Sequence, residues 1–232
     1  MRVAALCDVH GNLPALEAVL AEVAALEVDR VVCGGDVVSG PFPRECLDRL
    51  LALDAVFVRG NADRAPAEVP PEYQAQGDWV VDRLDPLALQ FLRDLPHAVS
   101  LGGVLYCHGS PRDDNEILTR VSPDERFRAA LAGVEERLVV GGHTHVQFER
   151  VVDGITFVNA GSVGAPYEGR QGAFWALLDG DRVDLRQTPY AVEAGVAAIR
   201  TSGYPGAEQL AGWLLDPEDP DEVSAYFESV AT

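Results

Sequence analysis

Four of the five histidines in this 232-residue chain fall in short segments rich in metal-ligating side chains. The segments are Asp8-Val9-His10, Gly35-Asp36, Gly60-Asn61, Cys107-His108 and Gly142-His143-Thr144-His145. Aspartate and imidazole together suit Mn²⁺, Fe²⁺, Ni²⁺ or Zn²⁺, and no cysteine-rich ligand set competes with them. In Asp8-x-His10 and His143-x-His145 the spacing is two, and in an extended segment such residues point the same way. Asp8, His10, Asp36, His108, His143 and His145, with Asn61, are too many donors for one ion. They suit two ions sharing a carboxylate, and Asp36, alone on its loop after two glycines, is the natural bridge.

Each segment follows an apolar run that reads as a strand. Val3 to Cys7, Arg30 to Cys33, Ala55 to Val58, Val104 to Cys107 and Leu138 to Val140 are the five runs. Helical spacing is evident at Leu13 to Leu26, with Pro14 in the first turn, and helices are also expected at Pro43 to Leu53, Pro86 to Leu95 and Pro123 to Leu131. Strands alternating with helices imply parallel pairing, so the strand ends line one edge and converge their ligands. Arg64 to Gly77 reads as a long polar loop. After Gln147, short strands joined by Asp153-Gly154 and Gly180-Asp181 read as hairpins. Residues from about 190 to 230 return to helix. The expectation is one domain, 1–232, of the α/β class, with two packed sheets.

The formal charge of −19 disfavours nucleic acid and anionic membranes as partners, because phosphate backbones are bound by clustered cations. All 18 basic residues are arginine. No apolar stretch approaches the ~20 residues of a membrane span, and the start of the chain does not read as a signal peptide. Cys7, Cys33, Cys46 and Cys107 form no C-x-x-C pair and read as reduced thiols, mostly small buried hydrophobes, which points to a cytoplasmic protein.

The ordered pattern D-V-H-G-N, G-G-D, G-N-x-D, H-G and G-H-T-H resembles the calcineurin-like metallophosphoesterases, over residues 2 to about 180. Length and the runs at His108-Gly109-Ser110-Pro111 and Asn159 to Gly164 look most like the small bacterial and archaeal phosphodiesterases of that superfamily. The resemblance implies a two-sheet β-sandwich flanked by helices. It implies that Asp8, His10 and His145 bind one divalent ion and Asn61, His108 and His143 the other, with Asp36 bridging. Mn²⁺ is the first expectation, with Fe²⁺, Ni²⁺ or Zn²⁺ as alternatives. Two such ions carry four positive charges, and a hydroxide between them could attack phosphorus in line without a protein nucleophile.

One departure from the family is visible. Many members have histidine after the Gly-Asn pair, whereas this chain has Gly60-Asn61-Ala62-Asp63. Protonation of the leaving group then falls to water, or is unnecessary for a good leaving group. Asp63 is a catalytic candidate that either steadies a ligand or pairs with Arg64. Asn12 either touches phosphate or caps the following helix, and Arg112 is the candidate guanidinium for substrate phosphate. Gly161 to Gly164 either offers backbone N–H groups to substrate or is a tight connection between strands. His97 is expected as a partly buried structural histidine.

The favoured activity is hydrolysis of small soluble phosphodiesters. The alternatives are a phosphomonoesterase, a protein or dinucleoside-polyphosphate phosphatase of the same superfamily, or a metal-binding interaction scaffold. A homodimer is a further expectation.

Overall fold

A computed structural model describes residues 1–231. Five strands form the first sheet in the order β10-β9-β1-β2-β3. They are β1 (Arg2–Leu6), β2 (Arg30–Cys33), β3 (Val56–Phe57), β9 (Ala173–Asp179) and β10 (Arg182–Thr188). The second sheet runs β4-β5-β6-β8-β7, made of β4 (Ala98–Leu101), β5 (Val104–Cys107), β6 (Leu138–Gly141), β7 (Phe148–Val152) and β8 (Ile155–Asn159). At the centre of each sheet the pairing is parallel: β1 with β2 and β2 with β3, then β5 with β6 and β6 with β8. Antiparallel strands complete the edges, β9 and β10 on one sheet and β4 and β7 on the other.

The side-chain period of two explains why the sheets stack. Along β1, Val3, Ala5 and Cys7 enter one apolar cluster with Tyr106, Val140 and Val158 of the other sheet. Ala4 and Leu6 enter a second cluster with Leu16, Val19 and Leu47 from the outer helices. A strand buried on both faces reads as continuous apolar sequence, as β1 does. The helices α1 (Leu13–Ala25), α2 (Pro43–Leu51), α3 (Gln74–Arg83) and α4 (Pro86–Arg93) contribute to the layer over the first sheet. Helix α5 (Asp124–Ala130) covers the second, with Phe127 against Phe148 and Phe157. The fold is therefore a sandwich of two mixed sheets flanked by helices, as expected.

The helical C-terminal region expected from about 190 to 230 is three helices, α6 (Val192–Thr201), α7 (Ala207–Leu215) and α8 (Pro220–Val230). Three local expectations are corrected. The polar loop from Arg64 is shorter than expected, because a 3₁₀ turn at Pro71–Tyr73 leads into α3 at Gln74. Its four-residue overlap with the expected loop was masked by Gly77, which looks like a breaker. Gly77 sits where a Cβ would lie 2.5 Å from the Pro66 carbonyl oxygen, so close packing against the preceding loop requires glycine there. Helices α2 and α4 also stop two residues early, at Leu51 and Arg93.

Candidate metal centre

The loops after β1, β2, β3, β5 and β6 carry the seven expected ligands. The loop after β1 is hydrogen-bonded along the loop after β2, with Asp8 N to Gly35 O at 3.0 Å, His10 N to Asp36 O at 2.9 Å and Gly11 N to Val37 O at 2.9 Å. These bonds hold the two aspartates side by side. The expected reason for the H-x-H and D-x-H pairing is corrected, however. Asp8, His10, Asp36, His143 and His145 all have left-handed backbone, with φ of 55°, 46°, 53°, 70° and 57°. They are not extended, and a non-glycine residue in this region carries about 1–3 kcal/mol of strain. Clustering of such strain at the ligand positions is what a site held by its surroundings looks like.

Three imidazoles are oriented by the same device. Each turns Nδ1 to a backbone carbonyl: His10 to Ser39 O at 3.2 Å, His108 to Gly34 O at 2.8 Å, and His145 to Ala165 O at 2.6 Å. A carbonyl only accepts, so Nδ1 carries the hydrogen and Nε2 presents its lone pair. Those lone pairs converge. His10 Nε2 lies 3.0 Å from His145 Nε2, and His145 Nε2 lies 3.1 Å from Asp8 Oδ1. His108 Nε2 lies 3.0 Å from Asn61 Oδ1 and 3.5 Å from Asp36 Oδ2. Asp8, His10 and His145 form one group able to hold an ion, and Asp8, Asp36 and His108 another. The His143 ring stands against His108 with centroids 5.1 Å apart.

Both carboxylates are divided between an anchored and an inward oxygen. Asp8 Oδ2 accepts from the His143 N–H at 2.9 Å, while the buried Oδ1 has no hydrogen-bond donor. Asp36 Oδ1 accepts from the Ala62 N–H at 2.9 Å, while Oδ2 lies 3.8 Å from His10 Nε2 and 3.5 Å from His108 Nε2. Asp36 thus stands between the two histidine groups, and Asp8 Oδ1 does so too, 3.9 Å from His108 Nε2. A buried carboxylate oxygen without a donor, facing imidazole lone pairs, fits a divalent cation.

The electrostatics favour positive charge at the same point, whether a proton or a metal ion supplies it. Burial raises Asp36, but His108 and the other imidazoles outweigh it and hold the carboxyl well below its usual range. Burial lowers His108, yet Asp36 and Asp8 carry it up to about 10. Burial and the neighbouring His108 lower His143 to about 4. Burial and His145 likewise push His10 down.

The remaining candidates lie elsewhere. Asp63 is fully buried, and its Oδ1 accepts from the N–H groups of Val37 at 2.9 Å and Val38 at 3.2 Å. It holds the segment after Asp36 and forms no pair with Arg64, which bonds to Asp114 instead. Burial, then Asp36, raises Asp63 to about 7. Asn12 is also fully buried. Its Oδ1 caps α1 through the Ala15 N–H at 3.3 Å, and its Nδ2 donates to Gly164 O at 2.8 Å, so neither end is offered to phosphate. Arg112 is committed to Glu116 and donates to Ala129 O at 3.1 Å, and it borders a different depression from the one at His10. The local polar sequence around Arg112 hid this partner, one helical turn's spacing away. Ser162 Oγ and the Gly164 N–H both bond Asp8 O, at 2.8 and 2.9 Å, and Val163 N–H bonds Cys7 O, so Gly161 to Gly164 is a tight connection. His97 is exposed rather than partly buried, and it pairs with Arg59.

Sequence reading missed Tyr167, whose ring stacks on His145 with centroids 5.1 Å apart and planes at 16°. No short motif marks it. Tyr167 belongs to the wall of a cavity of about 290 Å³ that opens onto His10 and His145.

The fold and this arrangement define a metallophosphoesterase-like protein, and comparison with known proteins gives the same class. Residues 1–182 match the calcineurin-like phosphoesterase superfamily domain, and the chain belongs to that superfamily. It is similar to a metallophosphoesterase from Sphaerobacter thermophilus, at 30% identity and a TM-score of 0.80, covering 93% of this chain and 99% of that one. A hypothetical protein from Pyrococcus horikoshii OT3 has the same fold, with 23% identity, a TM-score of 0.81, and coverage of 94% and 99%. An uncharacterized protein of Methanocaldococcus jannaschii is 27% identical, over 88% of this chain and 93% of its own.

Proposed function

We propose that this chain is a two-metal phosphodiesterase acting on small soluble esters. Asp8, His10 and His145 would hold one divalent ion, and Asn61, His108 and His143 the other, with Asp36 between them. The observation that carries this reading is the convergence of His10 Nε2, His145 Nε2 and Asp8 Oδ1, each imidazole locked by a carbonyl behind it. Divalent ions bound there, Mn²⁺ first among those the donors suit, supply Lewis acidity and bring the pKa of water towards neutrality.

The protein's own groups orient these donors and keep competing nucleophiles silent. Burial, then Asp8, pushes the Cys7 thiol far up, so it does not form a thiolate beside the site. At the position of the absent histidine, Ala62 lines the cavity and offers no proton. Leaving-group protonation then rests on solvent, and rates across aryl esters should fall steeply with rising leaving-group pKa. A diester brings one negative charge, a monoester up to two. The lack of any arginine at the cavity among the described residues supports the diester, and four buried free thiols are consistent with a reducing cytoplasm.

The test is hydrolysis of bis-p-nitrophenyl phosphate against p-nitrophenyl phosphate by metal-stripped protein refilled with Mn²⁺, beside Asp36→Asn. Mn²⁺-dependent turnover, faster on the diester and lowered about a thousandfold in the variant, is the expected result. Faster turnover of the monoester would replace this reading with a phosphomonoesterase. Bound metal with no turnover of either would replace it with a scaffold.

A further inference from the structure

Beside the metal ligands lies a cavity whose lining is unusual for a phosphate-handling protein. His10, Ala62 and His145 form its floor, and its walls carry Tyr73, Tyr167, Tyr204 and Trp213. Two uncharged amides, Gln76 and Gln209, are its principal polar side chains beyond the floor. No arginine, aspartate or glutamate lines it among the described residues, and the chain contains no lysine.

The four rings come from separate segments of the chain. Tyr73 ends the 3₁₀ turn before α3, Tyr204 sits between α6 and α7, and Trp213 is on α7. Trp79 of α3 packs edge-on against Tyr204, at 6.0 Å between centroids, and its Nε1 donates to Pro41 O at 3.3 Å. Gly206 is where Gln76 presses in, since a Cβ there would lie 2.8 Å from Gln76 Nε2. Tyr204 and Trp213 lie beyond residue 182, where the family match ends. The cavity wall thus lies partly outside the matched family domain.

Resting on the phosphoesterase reading, we infer that this cavity selects the ester's organic group, and that the group is an uncharged aromatic or heteroaromatic ring system next to a single phosphate. Its volume of about 290 Å³ suits one or two rings. Tyr73, Tyr167, Tyr204 and Trp213 supply faces and edges for stacking, and Gln76 and Gln209 can donate to and accept from ring heteroatoms. A polyphosphate chain finds no cation here. Tyr73 and Trp213 also border an outer depression carrying Glu218 and Glu222, so a longer polyanion would meet carboxylates. A cationic group finds no carboxylate in the cavity itself. Tyr167 joins the two halves of the site, stacking on His145 while its edge meets Trp213 at 5.9 Å.

Non-hydrolysable phosphonates test this without requiring turnover. Titration calorimetry on Mn²⁺-loaded protein would compare methylphosphonate, (1-naphthylmethyl)phosphonate, 2-(trimethylammonio)ethylphosphonate and methylenediphosphonate. The naphthyl probe should bind at least about tenfold more tightly than methylphosphonate. Trp213→Ala and, separately, Tyr73→Ala should remove most of that advantage and leave methylphosphonate unchanged. Tyr73 is 41% exposed, so its replacement keeps the fold. Equal affinity for the naphthyl and methyl probes, or tightest binding of the trimethylammonium or diphosphonate probe, would overturn the inference. So would an advantage that survives both substitutions. Failure of the phosphoesterase reading would show separately, as absent turnover of bis-p-nitrophenyl phosphate by the same preparation.

Discussion

The Nε2 atoms of His10 and His145 stand 3.0 Å apart, although 135 residues separate them in the chain. Each ring has its Nδ1 hydrogen engaged by a carbonyl, Ser39 O for one and Ala165 O for the other. Two lone pairs aimed at each other repel unless a proton or a cation lies between them. Asp8 Oδ1, 3.1 Å from His145 Nε2 and without a donor, adds negative charge to the same point. The protein holds together groups that are stable together only around positive charge.

Metal removal should therefore destabilise the fold. A ligand at a hundredfold excess over its Kd stabilises by about 2.7 kcal/mol, and a chain of this size gains roughly 2–4 °C per kcal/mol. Stripping with a chelator should lower the Tm by roughly 5–11 °C, and Mn²⁺ should restore it. Scanning calorimetry that showed the same Tm with and without Mn²⁺ would exclude a site of useful affinity.

Gly40→Ala should collapse the first half of the centre. A Cβ at Gly40 would lie 1.8 Å from His10 O, and one at Gly164 would lie 1.8 Å from Val9 O. These glycines grip the Val9–His10 segment from two sides. Displacing the His10 backbone costs about 3 kcal/mol and moves Nε2 away from His145. Metal stoichiometry in Gly40→Ala should fall from two to one, and an unchanged stoichiometry would refute the clamp.

Asn12→Ala separates capping from substrate contact. Losing the cap on α1 costs about 0.5–2 kcal/mol, and leaving Gly164 O without its donor adds about 1–3 kcal/mol. Denaturant unfolding should report the sum, while KM for bis-p-nitrophenyl phosphate stays the same. A raised KM with unaltered stability would return Asn12 to the substrate.

Glu228 ties α8 to the body of the protein and should make that tie pH-dependent. Burial raises its pKa, but Ser122, Thr119 and Arg126 together lower it below the ordinary value. Arg126 Nη1 reaches both carboxylate oxygens, at 2.9 and 2.8 Å. With the folded pKa depressed, the unfolded chain takes up the proton first as pH falls below about 4.3. The stabilisation is present at neutral pH and is lost as pH falls through the folded pKa. Glu228→Gln should cost about 1–2 kcal/mol at pH 7, and the gap to wild type should close in acid. A gap that is constant from pH 7 to pH 3 would show that the carboxylate charge is irrelevant.

Much of the site is readable along the chain because its signals are local. A continuous apolar run such as Val3 to Leu6 specifies a strand buried on both faces, and the ligand types immediately after such runs specify divalent-metal chemistry. Five runs of this kind, joined by helices of crossover length, leave few topologies besides parallel pairing with the loops at one edge. Arg112 and Asn12 were not readable in this way. A guanidinium after a ligand histidine and an asparagine after Asp8-Val9-His10-Gly11 suit phosphate equally well until their partners are known, and Glu116 and Gly164 O proved to be those partners.

The candidate ligand types, their order and the two-sheet class are thus properties of short stretches of sequence. Only the folded chain decides how the donors point. The carbonyls behind His10, His108 and His145 come from Ser39, Gly34 and Ala165, and the left-handed φ at five candidate ligands is held by bonds between loops. The aromatic cavity is likewise a tertiary product, drawing Tyr73, Tyr167 and Trp213 from three separate segments. Hydrogen-bond direction and cavity shape depend on groups brought together across the chain, and no local pattern encodes such distances.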